Sequence, residues 1–302
     1  GTVDTLGLSP SAKRREGSSP SRGTKEKIMK YTFAVREIDK VSAVEFIQAR
    51  HYSKVMPKLT KHYLGIYDGT VLAGVLTLGW GTQPLQTIRK LFPKLVTQDY
   101  YEIGKMCMDD VYPTNSETQM LSAVFKWIKQ NCSDPKLLYT WADGIVGKAG
   151  YVYQAFNFLY GGFIWTDIYI GADGEKIHPR STKLLLRENE RWLGRGKTLF
   201  WLTPDFLAFK GIQRIKGKQF RYVLPLTKTY KKLLKESTVR WTKNYPKDCD
   251  LQWKKQVAKG QWELLPSMPD MDLAVVNVNK KNVDSHIMTP QEAHRATSEG
   301  QR

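Results

Sequence analysis

The stretch from Tyr100 to Ile170 constrains the fold of this chain more than any other part of it. Apolar runs typical of strands (YYEIGKMCM, KLLYTWA and LYGGFIWTDIYI) alternate there with segments of helical periodicity. Polar residues gather at two joints, Val111 to Asn115 and Ala142 to Gly150, where a strand gives way to a helix. Successive strand-to-helix turns open on one edge of an α/β sheet, where ligands bind, so we expect a functional site at these two turns.

The segments on either side of this stretch add antiparallel strands. Asp68-Gly69 and Asp173-Gly174 are turn signals between apolar runs, and each predicts a β-hairpin. Ser42 with Glu45 predicts a capping box at the start of a helix. Together these patterns predict an α/β (α+β) fold with a mixed, mostly antiparallel sheet flanked by helices.

The net charge of +18 is unevenly distributed along the chain. Residues 31–175 are neutral, whereas residues 176–259 carry a net charge of +16, and aromatic residues interleave with the basic ones. A basic face is often only a solvated surface, but this excess is larger than solubility requires. Because bases stack on aromatic rings and phosphates bind cations, the basic segment favours a nucleic-acid partner.

Composition divides the chain into four segments. Residues 1–28 are rich in Ser, Gly, Pro and Arg without an apolar period, and we expect a disordered leader translated from upstream of a natural start at Met29. Residues 29–182 form the expected catalytic domain and residues 183–268 a basic, aromatic-rich extension that binds nucleic acid. We expect residues 269–302 to be a flexible tail.

Two compositional features concern the cellular compartment. The chain has no apolar run long enough to cross a bilayer and no signal-peptide core at its start, so we expect a soluble, cytoplasmic protein without a membrane partner. Cys107, Cys132 and Cys249 lie far apart and match no zinc-ligand spacing, which indicates a reducing compartment.

The helix after the first joint has a strong start signal. Pro113 precedes two alternative capping pairs, Thr114 with Glu117 and Ser116 with Gln119. The free N–H groups and the positive dipole end of such a helix suit a phosphate, although many capped helices bind nothing.

The second joint contains residue types that perform acid–base chemistry. Asp143 ends the strand KLLYTWA, where it is either a turn residue bonded to its own backbone or a general base. Tyr151 and Tyr153 fall in the first turn of the next helix, where a tyrosine is either a core aromatic or an acid.

The order of these elements matches the GNAT acyltransferase fold, with one departure. Pro113-Thr114-Asn115-Ser116-Glu117 stands where that fold has a glycine-rich pyrophosphate loop. With this departure, the strand ending TWAD at Asp143 and the run Tyr153-Gln154-Ala155-x-x-Phe158, residues 40 to 182 resemble the bacteriophage Mom family of DNA-modification proteins.

The resemblance implies a transferase that places a carbamoylmethyl (acetamido) group on the exocyclic N6 of adenine in DNA and so protects phage DNA from restriction in the host cytoplasm. Its partner is double-stranded DNA with the target adenine flipped out. The family's catalytic residues fall on Tyr52, Ser116, Asp143 and Tyr153. The residues implied to bind the donor are Asn115, Ser116, Glu117 and Lys105. Lys105 replaces a family arginine, and lysine cannot make the bidentate contacts of arginine.

For the nucleic-acid contact we assign residues in and next to the basic segment: Arg180, Lys183, Lys216, Lys218, Arg221 and Tyr222. The donor is either acetyl-coenzyme A or an activated glycine such as glycyl-tRNA. A glycyl group on N6 is an isomer of the carbamoylmethyl product, whereas an acetyl group does not supply the nitrogen. A metal is a further open alternative, with His51, His62 and His178 as candidate ligands; their spacing matches no metal motif, so we assign no metal site.

Two other functions remain open at this point. An ordinary GNAT enzyme that acetylates a protein or a small amine agrees with the element order but not with the missing pyrophosphate loop. A non-catalytic nucleic-acid-binding protein is favoured by the charge alone.

Overall fold

The computed structural model describes residues 31–81, 83–113, 115–179, 182–194 and 201–277. The expected leader, residues 1–28, lies outside the described residues, as do residues 278–302 of the expected tail and Arg180. The β-strands are β1 (Ala34–Glu37), β2 (Thr60–Asp68), β3 (Val71–Gly79), β4 (Tyr100–Met108), β5 (Leu137–Ala142), β6 (Leu159–Ile170), β7 (Glu175–Ile177), β8 (Gln213–Pro225), β9 (Trp253–Ala258), β10 (Gln261–Leu265) and β11 (Asp272–Asn277). The α-helices are α1 (Lys40–Arg50), α2 (Ile88–Leu91), α3 (Ser116–Asn131), α4 (Tyr151–Ala155), α5 (Lys183–Trp192) and α6 (Pro204–Phe209).

The strands form one mixed sheet in the order β1-β2-β3-β4-β5-β8-β6-β7-β11, and the β9–β10 hairpin joins it through β8. β4 with β5 and β7 with β11 pair in parallel, and the other neighbours pair antiparallel. The predicted α+β fold with a mostly antiparallel sheet is therefore confirmed.

The basic segment contributes a strand to the interior of this sheet. β8 lies between β5 and β6, with Tyr139 opposite Val223 on one side and Ile168 opposite Ile215 on the other. Residues 183–268 are therefore not confined to an appended extension, because β8 completes the sheet that begins in residues 29–182.

Helices cover both faces of the sheet. Met120, Leu121, Val124 and Ile128 of α3 pack against β-strand residues such as Leu76 and Leu138, as the helical period of the sequence predicts. On the opposite face, α1 packs its Phe46 and Ile47 on Val75, and α2 packs its Ile88 beside Tyr139. None of the helices in the described part of the chain is both long and apolar enough to cross a membrane.

The predicted helix caps differ from the observed ones. α1 begins at Lys40, and Asp39 caps it by accepting the Ser42 N–H at 2.9 Å, so the Ser42–Glu45 capping box is wrong. α3 begins after Asn115, which has the left-handed conformation (φ 78°). Ser116 is the first helical residue rather than the N-cap, its hydroxyl donates to the Pro113 carbonyl, and the side-chain oxygen of Gln119 accepts the Tyr31 N–H. Thr114 lies outside the described residues. In each helix, a residue outside the predicted capping pair takes one of the pair's hydrogen bonds: Asp39 in α1 and Tyr31 in α3.

A gap opens in the sheet between β4 and β5. Their parallel pairing covers Tyr100 to Glu102 and Leu137 to Tyr139. Beyond it, β4 continues beside β3 and β5 continues beside β8. The two strands therefore diverge toward the ends where the two predicted strand-to-helix turns lie, and this divergence positions the candidate site.

Candidate active site

A cleft of about 1560 Å³ occupies the gap between β4 and β5. Its lining comes from separate parts of the chain: the loop after α1, the second half of β4, the turn after β5, the first turns of α3 and α4, and residues of β6 and β7. It contains Tyr52, Lys105, Asp143, Tyr153 and Lys176. The predicted site at this edge of the sheet therefore coincides with a large cavity.

Asp143 lies inside the cleft, directly after β5. Its carbonyl accepts the N–H groups of Val146 and Lys148, which closes the turn into a short 3₁₀ helix (Gly144–Val146). Burial raises the pKa of the Asp143 carboxyl above its ordinary value, and the ammonium groups of Lys176 and Lys105 act in the opposite direction. Asp143 is thus a partly desolvated carboxylate with cations nearby, which is the environment of a tuned acid or base.

Two glycines allow this turn to fold against the sheet. At Gly217 of β8 a Cβ would lie 2.7 Å from the Ile145 Cα, so only glycine lets the 3₁₀ helix approach β8 this closely. Gly150 has φ +89°, and a Cβ there would lie 2.7 Å from both the Ala142 Cβ and the Tyr222 ring. The close packing of these glycines fixes the position of Asp143 relative to α4.

Tyr153 projects from α4 into the same cleft and is 8% exposed. Its ring packs against Phe158 and Tyr222, with centroids 5.4 and 5.6 Å away. Burial raises the pKa of the Tyr153 hydroxyl, and a hydrogen bond with Thr140 opposes this shift. Tyr153 is therefore a protonated phenol near neutral pH, held in one orientation.

His51 and Tyr52 reach the cleft from the loop after α1, and their rings stack at 4.3 Å. Burial, together with the charges of Asp143 and Tyr153, raises the pKa of Tyr52. For His51, burial and the positive charges of Lys105, Lys176 and Lys148 lower the pKa to about 3. The Ser53 N–H donates to His51 Nδ1 at 2.9 Å, so the neutral imidazole carries its proton on Nε2. Both side chains are hydrogen-bond donors without charge near neutral pH.

Two lysines place positive charge beside Asp143. Lys105 of β4 donates to the Ser53 carbonyl at 2.8 Å. Lys176 of β7 is 5% exposed, donates to the Tyr52 carbonyl at 3.5 Å and lies 5.6 Å from the centre of the Tyr52 ring. Burial lowers the pKa of Lys176 and Asp143 opposes this change. Sequence reasoning identified Lys105 but missed Lys176, because its strand joins the site only through pairing with β6.

The start of α3 contributes Asn115 and Glu117 to the lining of the cleft. The Asn115 side chain makes no capping hydrogen bond, and the first turn of the helix points toward the cavity. Ser116 differs from the prediction: it is 1% exposed, and its hydroxyl donates to the Pro113 carbonyl at 2.7 Å. Its role is to close the turn before α3, so we correct its assignment as a catalytic and donor-binding residue.

The three histidines considered as metal ligands are not gathered in one place. His51 and His178 line the cleft, whereas His62 contacts Glu37 and the Tyr101 hydroxyl on another part of the sheet. Among the described residues, no group of three His, Cys, Asp or Glu side chains is arranged to hold a metal ion.

The sequence profile of the Mom protein family matches residues 32–247. The chain belongs to the Mom family. Methylcarbamoylase mom of Escherichia phage Mu is 30% identical to it over 176 residues, which cover 58% of this chain and 70% of that relative. The part of the Mom-family chain that matches the profile contains all the cleft residues described above.

Solved structures that are similar to this Mom-family protein are only distantly alike. A GNAT-family acetyltransferase candidate from Desulfovibrio desulfuricans has a TM-score of 0.33 and 9% identity, with 65% of this chain and 100% of that chain covered. An N-acetyltransferase from Staphylococcus aureus Mu50 has a TM-score of 0.32 and 13% identity, with 65% and 99% covered. Because both TM-scores are well below 0.5, we infer nothing about this chain from these two structures.

The residues that we assigned to nucleic acid have different environments. Lys183 is exposed at the start of α5, and Lys216 is partly exposed on β8. Lys218 is 8% exposed and donates to the Asp250 carbonyl at 2.7 Å, and Arg221 donates to the Phe163 carbonyl at 3.5 Å. Arg180 lies outside the described residues.

Tyr222 requires a correction. It is 0% exposed, its hydroxyl donates to the Ala149 carbonyl at 2.6 Å, and the Gln154 side chain donates to that hydroxyl at 3.1 Å. A fully buried ring offers no face to a base, so Tyr222 is a core residue that holds the loop before α4 in place.

Proposed function

We propose that this Mom-family protein is a transferase that modifies the exocyclic N6 of adenine in DNA, and that the added group is of the carbamoylmethyl (acetamido) type and protects phage DNA from restriction. The observation that carries the proposal is the position of Asp143 in the cleft, with Lys105 and Lys176 near its carboxyl and Tyr52 and Tyr153 beside it. The relative from phage Mu is named a methylcarbamoylase, which supports transfer of a small amide-containing group.

Asp143 is the proposed general base. The lone pair of adenine N6 is conjugated with the ring, so N6 attacks an electrophile only as a base removes its proton. Burial raises the pKa of Asp143 and strengthens its carboxylate as a base, while Lys176 and Lys105 oppose this rise. The proton that N6 loses would pass to the Asp143 carboxylate as the bond from N6 to the donor carbon forms.

Tyr153 is the proposed acid. A buried phenol with a raised pKa keeps its proton near neutral pH and can donate it to the donor carrier as the bond between carrier and transferred carbon breaks. Tyr52, also buried and protonated, would donate a hydrogen bond to the oxygen on which negative charge develops. Each proton that leaves one group therefore has an acceptor in the cleft.

The cleft is large enough for two reactants. Its volume of about 1560 Å³ exceeds that of most small-molecule pockets, which hold about 300–1,000 Å³. An extruded adenine and a donor can therefore be bound together. We place the anionic part of the donor beside Asn115, Glu117 and Lys105, where the N-terminal turn of α3 and an ammonium group face the cavity. Acetyl-coenzyme A and an activated glycine, such as glycyl-tRNA, are the two candidate donors, and only the glycyl group contains all the atoms of the acetamido product. In the glycine route, N6 attacks the glycyl carbonyl, the carrier leaves with the proton from Tyr153, and the N6-glycyl adduct rearranges to its carbamoylmethyl isomer.

Nucleoside mass spectrometry of DNA from cells that express the protein tests the proposal. We expect a deoxyadenosine heavier by an acetamido group. Cells grown with isotope-labelled glycine distinguish the donors when the label of the modified nucleoside is compared with that of unmodified deoxyadenosine from the same sample, because the purine ring also takes atoms from glycine and only the glycine route adds labelled carbon and nitrogen beyond the ring. Asp143→Asn and Tyr153→Phe should each lower the yield by about 100-fold or more, since a positioned acid or base contributes about 10²–10⁴ in rate.

Matched variants separate chemistry from folding. Asp173→Asn changes an exposed carboxylate in the turn after β6, and Tyr67→Phe changes a tyrosine of β2 that does not line the cleft. Both should modify DNA like the unchanged protein. Undiminished activity of Asp143→Asn would show that another group is the base, and unmodified DNA from cells with folded protein would contradict the proposed function.

A further inference from the structure

A surface patch of lysine and aromatic side chains lies beside the cleft. We call it the Lys–aromatic patch and define it by Phe163 and Trp165 of β6, Lys216 of β8, Lys254 of β9 and Trp262 of β10. The Lys216 ammonium lies 4.2 Å from the centre of the Trp262 ring, and the Lys254 ammonium lies 4.2 Å from that of Trp165. Phe163 is 39% exposed, and the two lysines and two tryptophans are partly exposed.

The strand register places these side chains on one face of the sheet. Trp165 lies opposite Lys218, and Lys216 lies opposite Lys254, so positions two residues apart along each strand share the face. Lys218 is buried under the patch. Its ammonium donates to the Asp250 carbonyl and lies 4.7 Å from the centre of the Phe163 ring. The patch is thus a continuous surface across four strands.

The patch and the cleft are separated by one short turn. Lys247 and Asp248 line the cleft, and Asp250, two residues later, holds Lys218 at the patch. The Tyr151 hydroxyl of α4 donates to Asp248 at 2.9 Å and fixes this turn on the rim of the cleft. The turn at residues 247–250 therefore connects the rim of the cleft to Lys218, which lies under the patch.

Lys216 lies opposite Lys254 of β9 on one side and opposite Asp167 of β6, which pairs with Arg214, on the other. Like charges directly opposite on neighbouring strands repel each other, and here each ammonium is turned aside onto a tryptophan ring. An exposed cation–π contact is weak compared with a phosphate contact and the stacking of a base. A strand of nucleic acid can therefore draw the lysines onto its phosphates and leave both ring faces to its bases.

We propose that the Lys–aromatic patch binds the DNA strand that flanks the adenine in the cleft. The charge and the rings select a nucleic acid with accessible bases, and the choice of DNA rests on the proposed function. The match to the Mom family profile ends at residue 247, so the hairpin that carries Lys254 and Trp262 lies beyond the matched segment. Phe163, Trp165 and Lys216 lie inside the matched segment.

Binding of a fluorescent single-stranded deoxyoligonucleotide, followed by anisotropy over a range of salt concentrations, tests the patch. Lys216→Gln with Lys254→Gln should weaken binding about 10-fold or more and lower the salt slope by about 1.4, because two phosphate contacts on a single strand are lost. Trp165→Leu with Trp262→Leu should weaken binding by about 5- to 100-fold through lost stacking. The thermal stability of the lysine variant should change little, since the repulsion between the two lysines and the attraction of Lys216 to Asp167 are removed together.

The matched control is Lys231→Gln with Lys232→Gln, which removes the same charge from two exposed lysines outside the patch. We expect it to weaken binding less than 3-fold, as a change in net charge alone would. Equal losses in the control and patch variants would overturn the proposal, as would unchanged binding by the folded patch variants. Tighter binding of RNA of the same sequence, lost with the patch, would overturn the assignment to DNA.

These measurements also separate the patch from the proposed chemistry. Asp143→Asn should bind the oligonucleotide normally. If the patch variants bind poorly and no modified nucleoside forms in any sample, the patch stands and the proposed reaction is wrong. If modification is intact and binding by the patch variants is unchanged, the reaction stands and the patch is wrong.

Discussion

The pKa of His51 gives a sharp prediction, because its cause is visible in the structure. Burial and the positive charges of Lys105, Lys176 and Lys148 lower the pKa from 6.5 to about 3. In the unfolded chain the imidazole takes up a proton near its ordinary pKa, whereas in the folded protein it stays neutral. Stability that is fully present above pH 6.5 is therefore lost as the pH falls toward 3.

The size of the effect follows from the two pKa values. Near pH 5 the unfolded chain holds the His51 proton and the folded protein does not, so the free energy of unfolding falls by about 2 kcal/mol relative to neutral pH. The loss is an upper estimate, because the ring is only partly buried and solvent screens some of the interaction. His51→Asn keeps an acceptor for the Ser53 N–H and removes the titration, so its stability should depend less on pH by the same amount.

Two measurements check this prediction. Urea unfolding of both proteins between pH 8 and pH 5 gives the difference in pH dependence, and the other histidines cancel because both proteins contain them. Imidazole nitrogen chemical shifts should show His51 neutral, with its proton on Nε2, to below about pH 4.5. An imidazole that titrates near pH 6.5, or identical pH profiles for the two proteins, would refute the reasoning.

Three further variants test other parts of the site. Lys176→Met should move the acid limb of the pH–rate profile to higher pH, because Asp143 loses a cation that lowers its pKa. Lys176→Arg keeps the cation and should restore the position of the limb. If the limb does not move in Lys176→Met, Asp143 is not the titrating group. Tyr222→Phe should cost about 1 kcal/mol of stability, measured by urea unfolding, because the Ala149 carbonyl loses the shorter of its two hydrogen bonds and keeps the one from Gln154, while oligonucleotide binding per folded molecule stays the same. Gly150→Ala should lower stability by more than about 2 kcal/mol, since backbone strain adds to the contacts with Ala142 and Tyr222, whereas Gly174→Ala, at φ +83° in open space, should show the strain alone.

Much of the architecture around the cleft follows from local patterns in the sequence. The hairpin β2–β3, the helical period of α3 and the strand that ends before Asp143 are all visible within windows of about 10–20 residues. The predicted helix caps were wrong because a cap depends on a single hydrogen bond, and a nearby residue can supply a different partner for it. Asp39 and Tyr31 supplied partners that the capping patterns did not include.

The environment of each site residue was harder to predict, because it depends on strand pairing over long distances. Lys176 acts on Asp143 although 33 positions separate them in the sequence. In the sequence, Tyr222 stands among basic residues, as a tyrosine that stacks on bases would. Its strand nevertheless lies between β5 and β6, and its ring is buried. The sequence around an aromatic residue among basic ones does not show whether its ring faces solvent or the core.

The sequence by itself determined the order of strands and helices, the neutral core with a basic segment after it, and the position of Asp143 at the end of a strand. These properties depend on side-chain chemistry and on short-range periodicity. Only the tertiary structure decided that β4 and β5 diverge, that Lys176 and Lys105 lie near Asp143, and that Lys216 and Lys254 lie opposite each other. Those features arise from the pairing of segments far apart in the chain, which the packing of the whole sheet selects.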